Sequence, residues 1–372
     1  MTRPPGLGPE FASYWQRGGA ATDLSVPDAA GVRYLQAMVL HQPAPVDRRP
    51  LVAREIPDPE PGDDEIVVRI RTCGVCRTDL HVAEGDLPLR AERLVPGHQI
   101  VGTVAAAGSS ARRFSIGDRV GISWLHQTCG ACTFCNEEPS RENLCNSAVF
   151  TGWTVDGGYA EFAKAPEEFA YRIPDGFSDV EAAPLLCGGI IGYRALRMSG
   201  IRRGQRLGLY GFGSAAHMAI QVARHWGCEV YVFTRSESNR RLARKLGAAW
   251  AGGAEDAGTD TPKLHASIIF APAGPLVLSA LAQAESGAAV VLAGIYMSEI
   301  PAMDYTRHLY DEKMLRSVAN ATRADGDEFL AVAAEIPIQT AVETFALTQA
   351  NEALLALKTG RLCGSAVLVC GT

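Results

Sequence analysis

The stretch TCGVCRTDLHV, residues 72–82, crowds reactive side chains into one segment. Cys73 and Cys76 form a C-x-x-C, which can act as a redox dithiol or as half of a zinc knuckle. One of the two can also be a metal ligand beside a packed thiol. Asp79 and His81 add proton transfer, because an unperturbed histidine titrates near ~6.5. A redox dithiol would want the pair at a helix start in a βαβ setting. Here the pair ends a strand pattern, so we read Cys73 as a packed thiol. Cys76 finds distant potential co-ligands in His98 and Cys187. A catalytic zinc takes three protein ligands and keeps one place open. Spacing alone does not bring these three residues together.

A second group is Cys129, Cys132, Cys135 and Cys145 in CGACTFCNEEPSRENLC. Four thiolates fill a tetrahedral zinc shell and leave no place for substrate, so such a site staples a lobe. An iron–sulfur cluster is the alternative. A third group is Gly211-Phe212-Gly213-Ser214-Ala215-Ala216, a G-x-G-x-x-A between a strand pattern and a helix pattern. Glycines let the backbone approach a pyrophosphate, and the helix N-terminus favours its charge. At the end of the next strand, NAD sites commonly carry an acid for the ribose 2′-hydroxyl. This chain has Thr234 and Arg235 there, with Arg240 and Arg241 close by. That pattern points to NADP rather than NAD, although Arg240 and Arg241 also fit a solvated helix face.

The elements that must position these groups fall into two textures. From Gln36 to about residue 180 the chain is mainly β, with EIVVRIRT alternating apolar and charged residues. Next, QRLGLYGFGSAAHMAIQVARHWGCEVYVFTRSESNRRLARKLGA reads strand, turn, helix, strand, helix. The buried strands ASIIFAP and GAAVVLAGI continue a parallel sheet. Residues 1–36, rich in Gly, Pro and Ala, read as an extension with no secretory signal. The net charge of −6 argues against nucleic-acid binding, and no apolar run is long enough for a membrane span. Ten cysteines in a long chain point to a reduced compartment, the cytoplasm.

Taken together, GVCRTDLH, GHQ at 97–99, the four-cysteine lobe, the Cys187 turn and the G-x-G-x-x-A resemble a zinc-dependent alcohol dehydrogenase of the medium-chain dehydrogenase/reductase superfamily. The resemblance covers about residues 36–370. It implies an α/β protein with a GroES-like β-rich catalytic domain and a Rossmann doubly wound parallel sheet. The implied division is 1–36 extension, 37–185 catalytic domain with a zinc lobe at 129–145, 186–320 cofactor domain, and 321–372 returning to the catalytic domain. It also implies two zinc ions per chain. Cys76, His98 and Cys187 would bind the catalytic one, and the four-cysteine lobe the structural one. Thr78 would contact the alcohol oxygen, with a helix N-cap as its other reading. His81 would end a proton relay running through the cofactor ribose. Asp79 would orient His98, and Trp124 would line the substrate pocket. Gly211, Gly213, Ser214, Ala216, Thr234 and Arg235 would hold the cofactor.

Three positions depart from the family pattern. Gln99 follows the ligand histidine where relatives carry Glu, so no extra negative charge stands near the zinc. The Cys135-to-Cys145 gap is two residues longer than usual, which should alter only a loop. Ser365 stands where relatives often have Arg. The expected substrates are primary aliphatic or aromatic alcohols and their aldehydes; cinnamyl-type alcohols and polyols are alternatives. Leu87 and the other pocket residues cannot be sized from sequence. A zincless reductase, and a non-enzymatic protein using the zinc lobe for interaction, are the competing classes. The resemblance implies a homodimer or homotetramer.

Overall fold

A computed structural model of the chain describes residues 33–256 and 261–371. The expected extension lies almost wholly outside them, and strand Tyr34–Leu40 already begins within its last residues. The alternation in EIVVRIRT forms strand Glu65–Val75, which fully buries Ile66, Val68 and Ile70. This strand is central to a seven-stranded sheet. In order, the sheet holds Val342–Ala346, Ser365–Val369, Glu65–Val75, Gln99–Ala107, Arg119–Ile122 and Ala170–Arg172, while Phe162–Pro166 also pairs with Glu65–Val75. All its ladders are antiparallel except the pair Val342–Ala346 and Ser365–Val369.

The second sheet has six strands, all parallel. Its order is Trp250–Gly252, Glu229–Phe233, Arg206–Tyr210, Leu264–Ile269, Ala284–Leu292 and Met314–Ser317. The first strand in sequence sits inside the sheet, with later strands added on either side. Chain direction from the sheet therefore reverses beside Arg206–Tyr210, and a ligand crevice opens at the carboxyl ends of such strands. Each sheet has its own apolar cluster: Ile66, Ile70 and Ile100 lie in one; Leu207, Leu209 and Val230 lie in the other. Helix Gly188–Ser199 belongs to the second cluster and packs against helices Ser214–His225 and Arg323–Glu335. Among the described residues, no helix is long and apolar enough to cross a membrane.

Two histidines are buried in these cores, and burial is the main cause that pushes each down to about 4: His126 and His217. The unfolded value is ~6.5, so as pH falls the unfolded chain takes up these protons first. Each histidine then lowers stability from pH ~6.5 towards 4, by about 1.4 kcal/mol per pH unit. We expect urea-derived stability to fall between pH 6.5 and 5. His126→Gln should make that slope shallower by about 1.4 kcal/mol per pH unit. An unchanged slope would mean that folded His126 takes up protons freely.

Candidate active site

Cys76 stands where strand Glu65–Val75 gives way to helix Arg77–Glu84, and it is the N-cap of that helix. Its Sγ accepts from the Thr78 N–H at 3.3 Å, and its own N–H donates to Asp79 Oδ2 at 2.8 Å. The expected alternative of Thr78 as N-cap is thus corrected: the cap is Cys76, and Thr78 is a buried residue of the first turn. The structure also qualifies the argument from the C-x-x-C. Cys73 is fully buried in the strand, yet Cys76 does sit at a helix start. The Cys73 Sγ faces the Gly74 carbonyl rather than a metal-binding partner, and all ten cysteines are free thiols.

His98 leads into strand Gln99–Ala107, and Cys187 caps helix Gly188–Ser199. The fold brings both to Cys76. Cys76 Sγ is 3.3 Å from His98 Nε2 and 3.9 Å from Cys187 Sγ, and all three donors lie within 4.8 Å of one another. Bonds of about 2.3 Å to a tetrahedral zinc set sulfur atoms about 3.8 Å apart, so the spacing fits that ion. His98 Nδ1 donates to Asp79 Oδ1 at 3.0 Å, which turns Nε2 towards the thiols. Asp79 thereby fixes both the helix start and the imidazole.

The electrostatics agree with the geometry. Hydrogen bonding to Cys187 and then burial push the Cys76 thiol well above its ordinary value. Burial pushes the His98 imidazole down, but Asp79 and Cys76 outweigh it and lift His98 to about 10. The centre draws a positive charge, and a divalent cation satisfies that demand while releasing the thiol protons.

The other named residues take the following places. His81 Nδ1 bonds Asp86 Oδ2 at 2.7 Å, which leaves Nε2 buried and without a protein partner. The Tyr296 ring lies 5.1 Å from the His81 ring, reaching over from the loop after strand Ala284–Leu292. Gln99 is buried, its amide against Gly74, with Nε2 unpartnered. The Trp124 ring stands edge-on to His98 at 5.0 Å. Trp124 stacks in turn with Phe150 at 5.2 Å and Trp153 at 5.9 Å. Arg90 covers the far side of this cluster, 5.0 Å from the Trp153 ring. Asp86, Phe150, Trp153 and Tyr296 escaped sequence reasoning. Asp86 is only five positions from His81, so the acid was visible there, but the aromatic contacts depend on tertiary packing.

At the other motif, Gly211 has φ +87°, and Gly213 caps helix Ser214–His225 without any side-chain cap. A Cβ on Gly213 would meet nothing within 4 Å, so the N-terminus is open to a ligand. Ala216 is buried below it. Ser214 Oγ lies 2.6 Å from Ser365 Oγ. Ser365, which stands where relatives often have Arg, adjoins the turn. Gly188, next to Cys187, packs closely here too: a Cβ on it would stand 2.8 Å from Ser214 Oγ. Thr234 is buried at the end of Glu229–Phe233, and its carbonyl accepts from Arg240 Nε at 2.8 Å. Arg235 is exposed beside it.

The four lobe cysteines also converge, with donors within 4.8 Å of one another. Cys129 and Cys135 sulfurs are 4.0 Å apart, and Cys132 and Cys135 sulfurs 3.5 Å. Backbone N–H groups of Ala131 and Cys132 hold the Cys129 thiol down at about 6, which favours the thiolate a metal needs.

The family described as "Alcohol dehydrogenase GroES-like domain" matches residues 62–175, and that described as "Zinc-binding dehydrogenase" matches 216–335. The probable alcohol dehydrogenase AdhA of Mycobacterium tuberculosis is 46% identical over 341 residues, covering 90% of this chain and 97% of that one. The chain belongs to the zinc-dependent alcohol dehydrogenases. An alcohol dehydrogenase of Geobacillus stearothermophilus is 35% identical over 328 residues, 86% of this chain and 96% of its own. Among solved structures, the cinnamyl alcohol dehydrogenase of Sorghum bicolor matches with a TM-score of 0.82 at 25% identity, covering 91% of this chain and 98% of that one.

In this dehydrogenase the cysteine lobe does more than close on itself. Glu142, buried within it, accepts from Arg323 N at 2.8 Å, Nη2 at 2.8 Å and Nε at 3.0 Å. Asn143 Nδ2 donates to the Ala319 carbonyl at 2.7 Å. The lobe thus grips the segment that leaves the parallel sheet. Arg323→Ala strands a buried carboxylate and should cost about 2 kcal/mol, discounted for the partly exposed guanidinium. In a Glu142→Gln background the same change should cost clearly less. Urea melts of the four proteins decide it, since strictly additive costs would deny the pair any coupling.

Proposed function

We propose that this alcohol dehydrogenase oxidises primary aliphatic or aromatic alcohols to aldehydes, and reduces those aldehydes in reverse, with NADP preferred over NAD. The convergence of Cys76, His98 and Cys187 beside Thr78 and the Ser214 turn carries the reading. These three residues would hold a catalytic zinc, and Cys129, Cys132, Cys135 and Cys145 a structural one. A zinc ion at the first centre supplies Lewis-acid polarisation of the alcohol oxygen. A nicotinamide cofactor supplies the hydride acceptor.

The chain's own groups handle binding and the proton. The Thr78 hydroxyl accepts the alcohol proton at Oγ as it gives up its own towards His81. His81, its Nδ1 engaged by Asp86, offers the bare Nε2 as the base that passes the proton on to water. Asp79 holds His98 in place, and Gln99 keeps a further negative charge away from the metal. Trp124 forms one wall of the pocket, and Phe150 and Trp153 extend it as an apolar aromatic surface. That surface favours aromatic over polyhydroxylated substrates, and it equally suits a cinnamyl-type alcohol. Gly211, Gly213, Ser214 and Ala216 would seat the pyrophosphate. Thr234 and exposed Arg235, with no acid at the strand end, support a 2′-phosphate.

The two sheets support the domain division 37–185 with 321–372, and 186–320. The free thiols fit a cytoplasmic setting. The open sheet edge at Met314–Ser317, with exposed Tyr305 and Tyr310 nearby, favours a homodimer or homotetramer.

Metal analysis should find about two zinc per chain, four and three protein ligands serving the two sites. Assays with NAD and NADP across an alcohol panel should show activity that chelation removes without unfolding. Cys76→Ser should lower kcat/KM by at least about a thousandfold, on the order of 4 kcal/mol of barrier. Full activity in that variant would sink the proposal.

A further inference from the structure

His217 lies one turn into the helix that opens at Gly213, and it touches neither the metal-binding cysteines nor the aromatic wall. Its side chain is almost fully buried between two backbone groups. Ala341 N–H donates to Nε2 at 3.2 Å, so Nε2 carries no proton. The proton therefore sits on Nδ1, which donates to the Gly213 carbonyl at 3.2 Å. Both neighbours demand the same neutral tautomer. Burial, which outweighs the backbone hydrogen bonds, keeps the ring neutral across the working pH range.

What the imidazole joins is informative. Gly213 belongs to the turn proposed to take the pyrophosphate. Ala341 leads into strand Val342–Ala346 of the other sheet. The Ala341 carbonyl accepts from Ser365 N at 2.8 Å, and Ser365 Oγ meets Ser214 Oγ at 2.6 Å. In the next register position Ala366 pairs with Val75, the residue before Cys76. An unbroken path of hydrogen bonds and backbone thus runs from the turn, through His217, to the first metal-binding thiol. One helical turn further on, Gln221 binds Gln339 with both ends of its amide, at 2.8 and 2.9 Å.

We propose that His217 is a positioning residue: it fixes the cofactor turn against the catalytic sheet and so sets where the nicotinamide stands relative to Cys76, His98 and Cys187. This rests on the reading of the Gly211–Ala216 turn as the dinucleotide site.

The test uses the full zinc-loaded chain and titrates NADP and NAD into wild type, His217→Ala, His217→Asn and Gln221→Ala. In His217→Ala the cofactor Kd should rise about tenfold, the scale of one buried hydrogen bond lost. Zinc per chain and the alcohol KM should stay within about twofold, since neither bond of His217 reaches the metal or the alcohol. His217→Asn keeps a donor for the Gly213 carbonyl and should recover part of the affinity. Gln221→Ala, which loosens the same helix away from the turn, should leave the Kd within about threefold. An unchanged Kd in His217→Ala overturns the proposal, as does an equal rise in Gln221→Ala. If His217→Ala does not fold, a wild-type Kd in His217→Asn overturns the proposal instead, since that variant should regain only part of the affinity. Wild type binding neither cofactor would instead defeat the underlying reading of the turn, a result separate from any of these.

Discussion

The two sheets meet at Ser214, and the catalytic arrangement depends on that meeting. The Ser214 hydroxyl is within hydrogen-bonding distance of Ser365 on one side. On the other it lies so close to Gly188 that a Cβ added there would stand 2.8 Å from it and force the hydroxyl to turn. Gly188 follows Cys187, and Ser365 begins the strand that pairs beside Cys76. The opening of the cofactor helix is therefore packed against the immediate neighbours of two metal-binding thiols. Close-packed interiors transmit displacements of well under an ångström, so the distance from cofactor to metal is a property of the packed backbone. Hydride transfer needs such control, because reacting atoms must come within about 3–3.5 Å.

Charge imposes the second constraint. Two thiols, one imidazole and the Asp79 carboxylate crowd together, the imidazole and carboxylate buried and the two thiols partly exposed. Hydrogen bonding to Cys187 and burial keep the Cys76 thiol protonated, and Asp79 and Cys76 favour the charged imidazole of His98. A dipositive ion held by Cys76, His98 and Cys187 would reverse that preference, with Asp79 orienting His98 rather than binding the ion. Gln99 belongs to the same balance. A carboxylate in its place would bring one more negative charge into a region that already holds several.

Much of this was legible in the sequence, and for identifiable reasons. The alternation around Ile66, Val68 and Ile70 fixed a strand and its buried face. The Gly211 turn announced itself because few other residues tolerate its backbone angles. Cys129 to Cys145 lie close in sequence, so their convergence is a local matter. Cys76, His98 and Cys187 are far apart, and only the resemblance to a family joined them before the fold did. The sequence could not show that Cys76 caps a helix, because cysteine is a poor statistical cap and its sulfur serves here by position. Nor could it show the stacking of Trp124 with Phe150 and Trp153, or the bond between Glu142 and Arg323. Such contacts follow from how distant segments are brought side by side. Nor could the sequence show that Ser365, where relatives often have Arg, lies against Ser214 of the Gly211 turn.

The position of strand Ser365–Val369 has a consequence for the order in which the molecule is made. It lies inside the seven-stranded sheet, between Val342–Ala346 and Glu65–Val75, although most of the described chain lies between it and the latter strand. The six-stranded parallel sheet is drawn from one contiguous stretch and can assemble while synthesis continues. The catalytic sheet cannot. The Glu65–Arg69 part of strand Glu65–Val75 pairs early with Phe162–Pro166, but its Thr72–Val75 part stays unpaired on that side until Ser365–Val369 has been made. The same late strand sets the backbone beside Cys76. A metal ion at Cys76, His98 and Cys187 would thereby have to await that late strand, whereas one at the four-cysteine lobe, built from residues 129–145, could be taken up early.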